Sequence, residues 1–411
     1  MPRLLAINNY YYRRGGAEVV FLEQNRLFEE IGWEVPVFCM RHRNNFETPW
    51  SRYFVSEIEY GQRYSFLNKI FQVSKAVYSF EARANLAQML RCAQPDVAHC
   101  HNIYHHISPS ILALLKQQAV PIVVTLHDLK LACPAYTMLS PDGICERCKQ
   151  GALHNVMFHR CMKGSLALSG LIMFESMLHR LIGSYSKNVD RFVVPSRFYL
   201  EKFVEWGWDR QRFVYIPNFV DLSTYLPRYS PGNYFFYFGR LSIEKGLSTL
   251  IRASALAGVR LMVAGTGPQE IELHEVAEQS GATVSFLGYL TGNALHSALQ
   301  GARAVVLPSE WYENSPLSIM EAYASGKPVI GAAVGGIPEL IKEGETGATF
   351  PMGSIESLAD VLRIFNTMSD SEIAQMGKAG RNWMESDFSA ERYRDRILNL
   401  YVDLNGKSCN K

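Results

Sequence analysis

Short runs of apolar residues, rich in β-branched and aromatic side chains, recur along the whole chain. Stretches with the apolar spacing of an amphipathic helix lie between them, for example at 20–31 and 247–255. Strands that alternate with helices predict βαβ units and parallel sheets. Because one sheet of so many strands would be unusually wide, the pattern predicts an α/β protein with two doubly wound, Rossmann-like domains. The predicted strands are 4–7, 35–39, 97–100, 122–126, 192–194, 213–216, 234–238, 261–263, 284–287, 304–307 and 329–330.

A turn-rich and proline-rich segment at 221–233 is the best candidate for the boundary between the two domains. It predicts a first domain over about 1–220 and a second domain over about 233–385. The remaining residues, 386–411, start with an amphipathic pattern that predicts a helix over 388–404. This helix could pack on either domain, including back on the first.

The composition indicates a globular protein, since 48% of the 411 residues are hydrophobic and 19% are charged. A net charge of +2 is far from the strong positive charge that nucleic-acid-binding proteins carry, so we expect no nucleic-acid partner. The longest apolar run, 166–174, is far shorter than the roughly 20 residues that span a bilayer. With no charged leader at the N-terminus, the sequence predicts a cytoplasmic protein.

The charge is unevenly distributed along the chain. Residues 1–200 carry 22 Lys and Arg against 15 Asp and Glu, and the remainder carries 19 against 24. This is either an ordinary difference between domains or a sign that the first domain contacts an anionic membrane, at the inner face of the cell membrane. A basic and apolar segment could make that contact or be an ordinary core-facing helix. Its residues are Arg13, Arg14, Arg41, Arg43, Arg52, Arg63, Phe54, Tyr60, Tyr64, Phe66, Ile70 and Phe71.

Two predicted strands are followed by loops suited to phosphate. The first strand leads to Gly15-Gly16 at the start of a predicted helix, where free N–H groups and the helix dipole favour an anion. The strand at 234–238 leads to Gly239-Arg240 and then Lys245-Gly246 before another helix. Two cations five residues apart suit a pyrophosphate, although two solvated loop charges would give the same pattern.

The most informative segment is 308–322. A predicted strand ends at 307 and a helix is expected to begin near Pro316, with Glu313 just before it and Glu321 inside it. Carboxylates at the ends of parallel strands point into a ligand crevice and accept paired sugar hydroxyls well. A capping carboxylate and a surface glutamate are the alternative.

Glu313-x7-Glu321, followed by Gly335-Gly336-Ile-Pro-Glu339, closely resembles the signature of glycosyltransferase family 4. Further matches in the family's order include Thr125-Leu-His127-Asp128, Val194-Pro-Ser196, Ile216-Pro-Asn218 and Gly265-Thr-Gly267. The resemblance implies the GT-B fold, in which a cleft separates the two domains. This chain departs from the family pattern by reading Glu313-Asn-Ser-Pro-Leu317 for Glu-Gly-Phe-Gly-Leu, and Asn218-Phe for Asn-Gly.

The resemblance also implies roles for individual residues. Four residues would be catalytic. His127 would lie beside the sugar and Glu313 would bind the sugar hydroxyls. Arg240 and Lys245 would neutralise the leaving pyrophosphate. Gly16 would donate a backbone N–H to the phosphate and Glu321 would bind the ribose. The full set expected at the donor is Gly15, Gly16, Ser196, Asn218, Arg240, Lys245, Gly265, Gly267, Tyr289, Leu290, Glu313, Asn314, Ser315, Leu317, Ser318 and Glu321.

The function that the resemblance implies is a retaining transfer of a sugar from a nucleotide diphosphate to a saccharide or lipid-linked acceptor, in surface polysaccharide or glycolipid synthesis. With cations and helix N-termini to stabilise the leaving group, no catalytic metal or other cofactor is expected. A nucleotide-sugar 2-epimerase of the same fold and a non-catalytic binding subunit are the alternatives. The Glu-x7-Glu match speaks against the first, and the complete set of site residues against the second.

Four cysteines, Cys133, Cys145, Cys148 and Cys161, have the spacing Cys-x11-Cys-x2-Cys-x12-Cys in a loop at about 131–165. This suits a structural zinc ion with four thiolate ligands. Two disulfides or four free thiols are the alternatives, and the absence of a secretion signal disfavours disulfides. A second cluster, His99, His101, His105 and His106, follows a predicted strand and is interpreted as lining the cleft near the acceptor or as ordinary loop histidines.

Overall fold

The computed structural model describes residues 1–57 and 77–408, which form two six-stranded parallel sheets and one short antiparallel hairpin. The strands are β1 (Leu4–Ile7), β2 (Val37–Phe38), β3 (Val97–Cys100), β4 (Ile122–Thr125), β5 (Leu139–Ser140), β6 (Gly143–Ile144), β7 (Arg191–Val194), β8 (Phe213–Tyr215), β9 (Phe235–Phe238), β10 (Leu261–Ala264), β11 (Val284–Phe286), β12 (Ala304–Leu307), β13 (Val329–Ala332) and β14 (Gly347–Phe350). The first sheet and its helices are called the first domain here, and the second sheet and its helices the second domain.

Helices cover the faces of both sheets. The α-helices are α1 (Gly16–Glu30), α2 (Phe80–Ala93), α3 (Ser110–Gln117), α4 (His154–Phe158), α5 (Leu166–Ile182), α6 (Arg197–Glu205), α7 (Leu247–Ala257), α8 (Glu270–Ser280), α9 (Gly292–Gln300), α10 (Leu317–Ala324), α11 (Ile355–Thr367), α12 (Asp370–Asp387) and α13 (Ala390–Ser408). Short 3₁₀ helices lie at Pro49–Tyr53, Lys149–Gly151, Arg210–Arg212, Leu222–Thr224, Ile243–Lys245 and Pro338–Leu340.

The strand order places a crevice in each sheet. The first sheet runs β2-β1-β3-β4-β7-β8 and the second runs β11-β10-β9-β12-β13-β14, with parallel pairing throughout both. The direction of winding reverses between β1 and β3 in the first sheet and between β9 and β12 in the second. Ligands of doubly wound sheets bind at such reversals, beyond the carboxyl ends of the strands. The predicted fold class, with two doubly wound parallel sheets, is confirmed.

The strands form where the sequence is most continuously apolar. Both faces of a parallel sheet are covered by helices, so its strands are buried on both sides. All four residues of β1, β3, β4 and β12 are accordingly buried. β14 and the hairpin of β5 and β6 were not among the predicted strands, because their residues form no strong apolar run.

The C-terminal helix returns to the first domain. Tyr393, Ile397 and Tyr401 of α13 are buried in one cluster with Leu4 and Phe28, which belong to β1 and α1. The crossing is fixed where the Val220 N–H donates to the Phe388 carbonyl at 3.1 Å. The chain therefore crosses between the two domains twice, once before the second domain and once after it.

The basic and apolar segment is described in part. Tyr60, Arg63, Tyr64, Phe66, Ile70 and Phe71 lie outside the described residues. Phe54 is buried, which agrees with the core-facing alternative for this residue. Arg13 forms an ion pair with Glu23 of α1. Among the described residues, no helix combines the length and apolar content needed to cross a bilayer.

Candidate functional site

The crevice of the second sheet brings Lys245 and Glu313 together. Lys245 ends the 3₁₀ helix after β9, and Glu313 lies in the loop after β12, the strand that pairs with β9. The Lys245 Nζ donates to the Glu313 Oε1 at 2.6 Å, and the Ser309 hydroxyl donates to the same oxygen at 2.7 Å. The two residues that were expected to hold the sugar and the leaving group thus share one hydrogen-bonded cluster.

This ion pair fixes the charge of the carboxylate. Burial alone would raise the pKa of Glu313, but the Lys245 ammonium and the hydrogen bonds of the cluster hold the pKa below its usual value. Glu313 is therefore ionised and accepts hydrogen bonds at neutral pH. Lys245 carries three N–H donors, of which one is used by Glu313, so two remain for phosphate oxygens.

Glu321 has a partner that the sequence did not suggest. Tyr225, in the segment that joins the domains, donates its hydroxyl to the Glu321 Oε1 at 3.0 Å. The Tyr225 ring also lies 4.8 Å from the ring of His296. Burial raises the pKa of Glu321, while Tyr225 and the positive charge of Arg13 oppose that rise. One carboxylate oxygen thus accepts from Tyr225, and the other has no hydrogen-bond partner in the described part of the chain, so it is left for a ligand hydroxyl.

Two helix N-termini meet across the cleft. Helix α1 begins at Gly16 in the first domain and α10 begins at Leu317 in the second. A methyl group on Gly16 would lie 3.7 Å from the Leu317 Cδ1. Free N–H groups and helix dipoles of both domains therefore converge on one position, with Ser318 in the first turn of α10, and such a position favours an anion.

The turn before α10 is bonded to the first domain. The Ser196 hydroxyl bonds to the Asn314 Oδ1 at 2.8 Å, and the Asn314 Nδ2 donates to the Leu126 carbonyl at 3.0 Å. The Asn218 Nδ2 donates to the Ser315 carbonyl at 2.9 Å. Ser196 and Asn218 thus bond to the Asn314–Ser315 turn rather than pointing to open space.

The Gly335-Gly336 motif reinforces the same turn. A methyl group on Gly336 would lie 1.8 Å from the Asn314 carbonyl oxygen, so only glycine fits this close approach. Glu339, in the same motif, accepts hydrogen bonds from the Arg197 and Phe198 N–H groups at 2.8 and 2.5 Å. A carboxylate of the second domain therefore caps α6 of the first.

The remaining donor-site candidates lie at the ends of β9, β10 and β11. The Gly265 N–H donates to the Gly288 carbonyl at 2.7 Å, and a methyl group on Gly265 would collide with the Gly239 carbonyl oxygen at 1.8 Å. A methyl group on Gly267 would lie 2.2 Å from the Leu241 carbonyl oxygen, and Leu290 is partly buried beside the core. Tyr289 is exposed, which leaves its ring free to stack. Arg240 is exposed too and lies within electrostatic reach of the Tyr136 hydroxyl.

His127 belongs to a buried histidine network. Its Nε2 lies 2.8 Å from the Nδ1 of His101, and the two rings are stacked with centroids 5.1 Å apart. Burial lowers the pKa of His127 to about 4, so its ring is neutral. His99, beneath this pair, bonds to the Thr125 hydroxyl at 2.7 Å and the Tyr401 hydroxyl at 2.6 Å. The C-terminal helix is thereby connected to the histidines at the cleft.

The tautomer of His127 follows from the surroundings of His101. The Nε2 of His101 is buried and has no hydrogen-bond partner among the described residues. A buried N–H without an acceptor is costlier than a buried lone pair, so we assign the proton of His101 to its Nδ1. That N–H donates to the Nε2 of His127, which leaves the His127 proton on Nδ1.

The four cysteines of the 131–165 loop lie near one another as free thiols. Burial raises the pKa of Cys148 to about 12, with further increases from Cys133, Cys161 and Cys145. The described residues nevertheless contain no group of three or more His, Cys, Asp or Glu side chains arranged to hold a metal ion. Zinc binding therefore stays a prediction.

The sequence missed Tyr225, His101 and Glu339 as specific partners of the site. Each acts through a contact with a residue distant in the chain, and an isolated tyrosine in a proline-rich segment gives no local signal. The histidine cluster was recognised, but the contact of His101 with His127 depends on β3 and β4 being adjacent.

Two family models match the chain. "Glycosyltransferase Family 4" matches residues 14–224 and "Glycosyl transferases group 1" matches residues 225–383. The D-inositol 3-phosphate glycosyltransferase of Corynebacterium aurimucosum is 31% identical over 95% of this chain and 91% of its own length. The glycogen synthase of Mycobacterium tuberculosis is 31% identical over 76% of this chain and 70% of its own. The sulfoquinovosyl transferase SQD2 of Arabidopsis thaliana is 35% identical over 36% of this chain, a match that spans 29% of its own length.

Solved structures share the fold at low identity. The sucrose-phosphate synthase of Thermosynechococcus elongatus has a TM-score of 0.74 at 18% identity, over 99% of this chain and 100% of its own. HepE of Anabaena in complex with UDP and glucose has a TM-score of 0.66 at 18% identity, over 98% of this chain and 100% of its own. WaaB, a lipopolysaccharide outer core galactosyltransferase, has a TM-score of 0.65 at 18% identity, over 98% of this chain and 99% of its own.

Proposed function

Since the chain belongs to glycosyltransferase family 4 and has the GT-B fold, we propose that it transfers a sugar from a nucleotide diphosphate to a saccharide or lipid-linked acceptor with retention of anomeric configuration. The observation that carries this proposal is the Lys245–Glu313 pair at the crevice of the second sheet. Lys245 supplies a cation for the leaving phosphate and Glu313 supplies an acceptor for sugar hydroxyls, and the two side chains are hydrogen-bonded to each other.

The same crevice supports a position for each end of the donor. The diphosphate would lie between the N-termini of α1 and α10, with Lys245 and Arg240 as counter-charges. The ribose would bond to the free oxygen of Glu321, and the base would stack on Tyr289. HepE, a structural neighbour, is described in complex with UDP and glucose, which supports a nucleotide sugar as the donor class.

The reaction requires stabilisation of the leaving group. The bond from the anomeric carbon to the diphosphate breaks, and the acceptor oxygen forms a new bond on the same face of the sugar. The acceptor proton passes to the departing phosphate oxygen. Lys245, Arg240 and the two helix N-termini stabilise the charge that develops there. His127, neutral and carrying its proton on Nδ1, donates a hydrogen bond to the sugar.

The proposed acceptor belongs to a surface polysaccharide or a glycolipid. WaaB among the structural neighbours acts on the lipopolysaccharide outer core by its name, and several relatives are named for sugar transfer to other acceptors. We include in the proposal a cytoplasmic location with contact to an anionic membrane, and a structural zinc ion in the 131–165 loop. The four free thiols and their Cys-x11-Cys-x2-Cys-x12-Cys spacing support the zinc ion.

The deciding experiment is a thermal-shift screen of nucleotide sugars on the full chain, followed by analysis of products with the best donor. A ligand that binds the folded state raises the melting temperature as its concentration exceeds the dissociation constant. We expect one donor to stabilise the protein and to yield a glycoside, or slow hydrolysis in the absence of acceptor, with the donor's anomeric configuration. Free epimerised sugar nucleotide would instead indicate an epimerase, and binding without turnover a non-catalytic subunit.

A further inference from the structure

Helix α5 (Leu166–Ile182) has its polar side inside the protein and its apolar side outside. Four of its five buried residues, Ser169, Glu175, Ser176 and His179, are polar, and the fifth is Ile172. The Glu175 carboxylate bonds to the Lys130 Nζ at 2.9 Å, and the His179 Nε2 donates to the Val77 carbonyl at 2.8 Å. An ordinary amphipathic helix shows the opposite arrangement, with its apolar stripe facing the core. Packing against the core therefore does not account for the apolar residues on the outer side of α5.

The outer side of α5 carries a continuous apolar stripe, called the α5 face here. Leu166, Phe174, Met177 and Leu181 are each about half exposed or more, and Leu181 reaches 79%. Their spacing of eight, three and four residues places them on one side of the helix. Scattered exposed apolar residues are normal on a protein surface, but a contiguous apolar stripe marks an interaction surface.

Basic residues flank this stripe in the sequence. Between residues 150 and 189 the chain has four basic residues, Arg160, Lys163, Arg180 and Lys187, all of them exposed. The single acidic residue in that range is Glu175, which is buried and paired with Lys130. Exposed basic residues thus lie before and after an apolar stripe, with no exposed acidic residue in this stretch of chain.

We propose that the α5 face docks on an anionic lipid bilayer, with α5 lying in the plane of the headgroups. An apolar helix side flanked by Lys and Arg matches the acyl boundary and the anionic headgroups of such a surface. The helix has 17 residues, so it lies on the membrane rather than across it. A second copy of the chain, whose residues 201–411 carry 19 Lys and Arg against 24 Asp and Glu, is the other occupant, and the oligomer measurement below distinguishes it from a bilayer.

The docked helix would bring the membrane to the reaction centre. Lys130, which bonds to Glu175 of α5, follows His127 by three residues, and Arg180 donates to the Ala132 carbonyl at 2.9 Å. The segment after His127 is therefore fastened to α5. An acceptor carried by a membrane lipid would be held close to the cleft, a consequence that rests on the proposed function, whereas docking itself does not.

The test is co-sedimentation of the full chain with vesicles of phosphatidylcholine, with and without phosphatidylglycerol. We expect binding to the anionic vesicles that weakens with added salt. The double variant Met177→Glu/Leu181→Glu should lower the partition coefficient at least about 100-fold. Arg160→Gln and Lys163→Gln should each lower it about fivefold. The matched control is Ile271→Glu on α8, where Ile271 is 78% exposed, and it should bind as the wild type does.

Three results would overturn the proposal. They are no binding of the wild type to anionic vesicles, unchanged binding of the double variant, or a wild-type oligomer in solution that the double variant dissociates. A thermal shift with the donor, measured on the double variant without vesicles, should equal that of the wild type. Loss of vesicle binding with a retained donor shift separates docking from the proposed transferase activity.

Discussion

Lys245 and Glu313 are hydrogen-bonded to each other before any donor is bound, at 2.6 Å from Nζ to Oε1. The sequence assigned these residues to opposite ends of the glycosidic bond, one to the leaving group and one to the sugar. Their contact means that each orients the other. A charged lysine held at a fixed position stabilises a transition state without reorganising during the reaction.

We predict that Lys245→Ala lowers kcat by about 10²–10³-fold, because a preorganised charge on the leaving phosphate is lost. Steady-state kinetics with the best donor checks this. Lys245→Ala also leaves the buried Glu313 unpaired, which costs stability, so the double variant Lys245→Ala/Glu313→Gln serves to keep the fold intact. Lys378→Ala, at a lysine that lies over the Tyr229 ring of the second domain, is the matched control. Full activity in the double variant would contradict the leaving-group role.

Tyr225→Phe removes the hydroxyl that donates to Glu321 at 3.0 Å. A hydrogen bond to a charged group contributes about 1.5–3 kcal/mol, and the ribose is bound equally before and during the reaction. We therefore predict that KM for the donor rises about tenfold or more while kcat changes little. Tyr234→Phe, which removes a hydroxyl bonded to the Ala298 carbonyl, is the control and should leave KM unchanged. An equal fall in kcat would show that Tyr225 acts on the transition state instead.

Much of the scaffold could be read from the sequence because it depends on local patterns. The runs at 97–100, 122–126 and 304–307 became strands, since continuous apolar residues suit a sheet that is buried on both faces. Gly347–Phe350 escaped detection because its strand character comes from pairing with β13 rather than from its own residues.

The partners within the site were less predictable. Tyr225 meets Glu321 across 96 residues, and His101 meets His127 only because β3 and β4 are neighbours. The apolar run at 166–174 gave no indication of which side of α5 faces the core, and the structure buries mainly polar residues of this helix. A hydrophobic pattern identifies the helix but does not identify which side meets the core when polar groups find partners inside.

His101→Leu removes the donor that holds the Nε2 of His127 at 2.8 Å. We predict a fall in kcat of about 100-fold with little change in KM, because His127 is no longer held in its orientation. His101→Asn, whose amide places an N–H near the original Nδ1, should restore part of the activity. In a His127→Ala background, His101→Leu should have almost no further effect.

A readout independent of activity is the ¹⁵N spectrum of the imidazole rings. It should show the proton of His127 on Nδ1 in the wild type and a mixture of tautomers in His101→Leu. A wild-type spectrum with the proton on Nε2 would contradict the assigned positioning role.

The four loop cysteines lead to a prediction on metal content. Protein purified without a histidine tag should contain about one zinc ion per chain by elemental analysis, because four thiolates form a closed tetrahedral site. Cys145→Ser should lower both the zinc content and the melting temperature, since metal binding contributes to folding. Cys92→Ser, at an exposed thiol of α2, is the control. A metal-free, equally stable protein with four titratable loop thiols would exclude zinc.

The buried histidines predict how stability depends on pH. Burial lowers the pKa of His99 to about 3, whereas the pKa in an unfolded chain is about 6.5. Below pH 6.5 the unfolded chain therefore binds a proton that the folded protein does not, and stability is lost as the pH falls. Between pH 6.5 and 5 this amounts to about 2 kcal/mol for His99.

Urea unfolding at several pH values checks this expectation with the variant His99→Gln. The free energy of unfolding of the variant should fall less steeply than that of the wild type below pH 6.5, because the variant has no proton to take up on unfolding. Burial raises the pKa of Asp128 to about 6, so its effect on the free energy of unfolding has the opposite sign as the pH falls. This contribution is the same in the variant and in the wild type. His159→Gln, at an exposed residue beside α4, should keep the wild-type slope. Parallel slopes for His99→Gln and the wild type would mean that His99 is already charged, or solvated, in the folded protein.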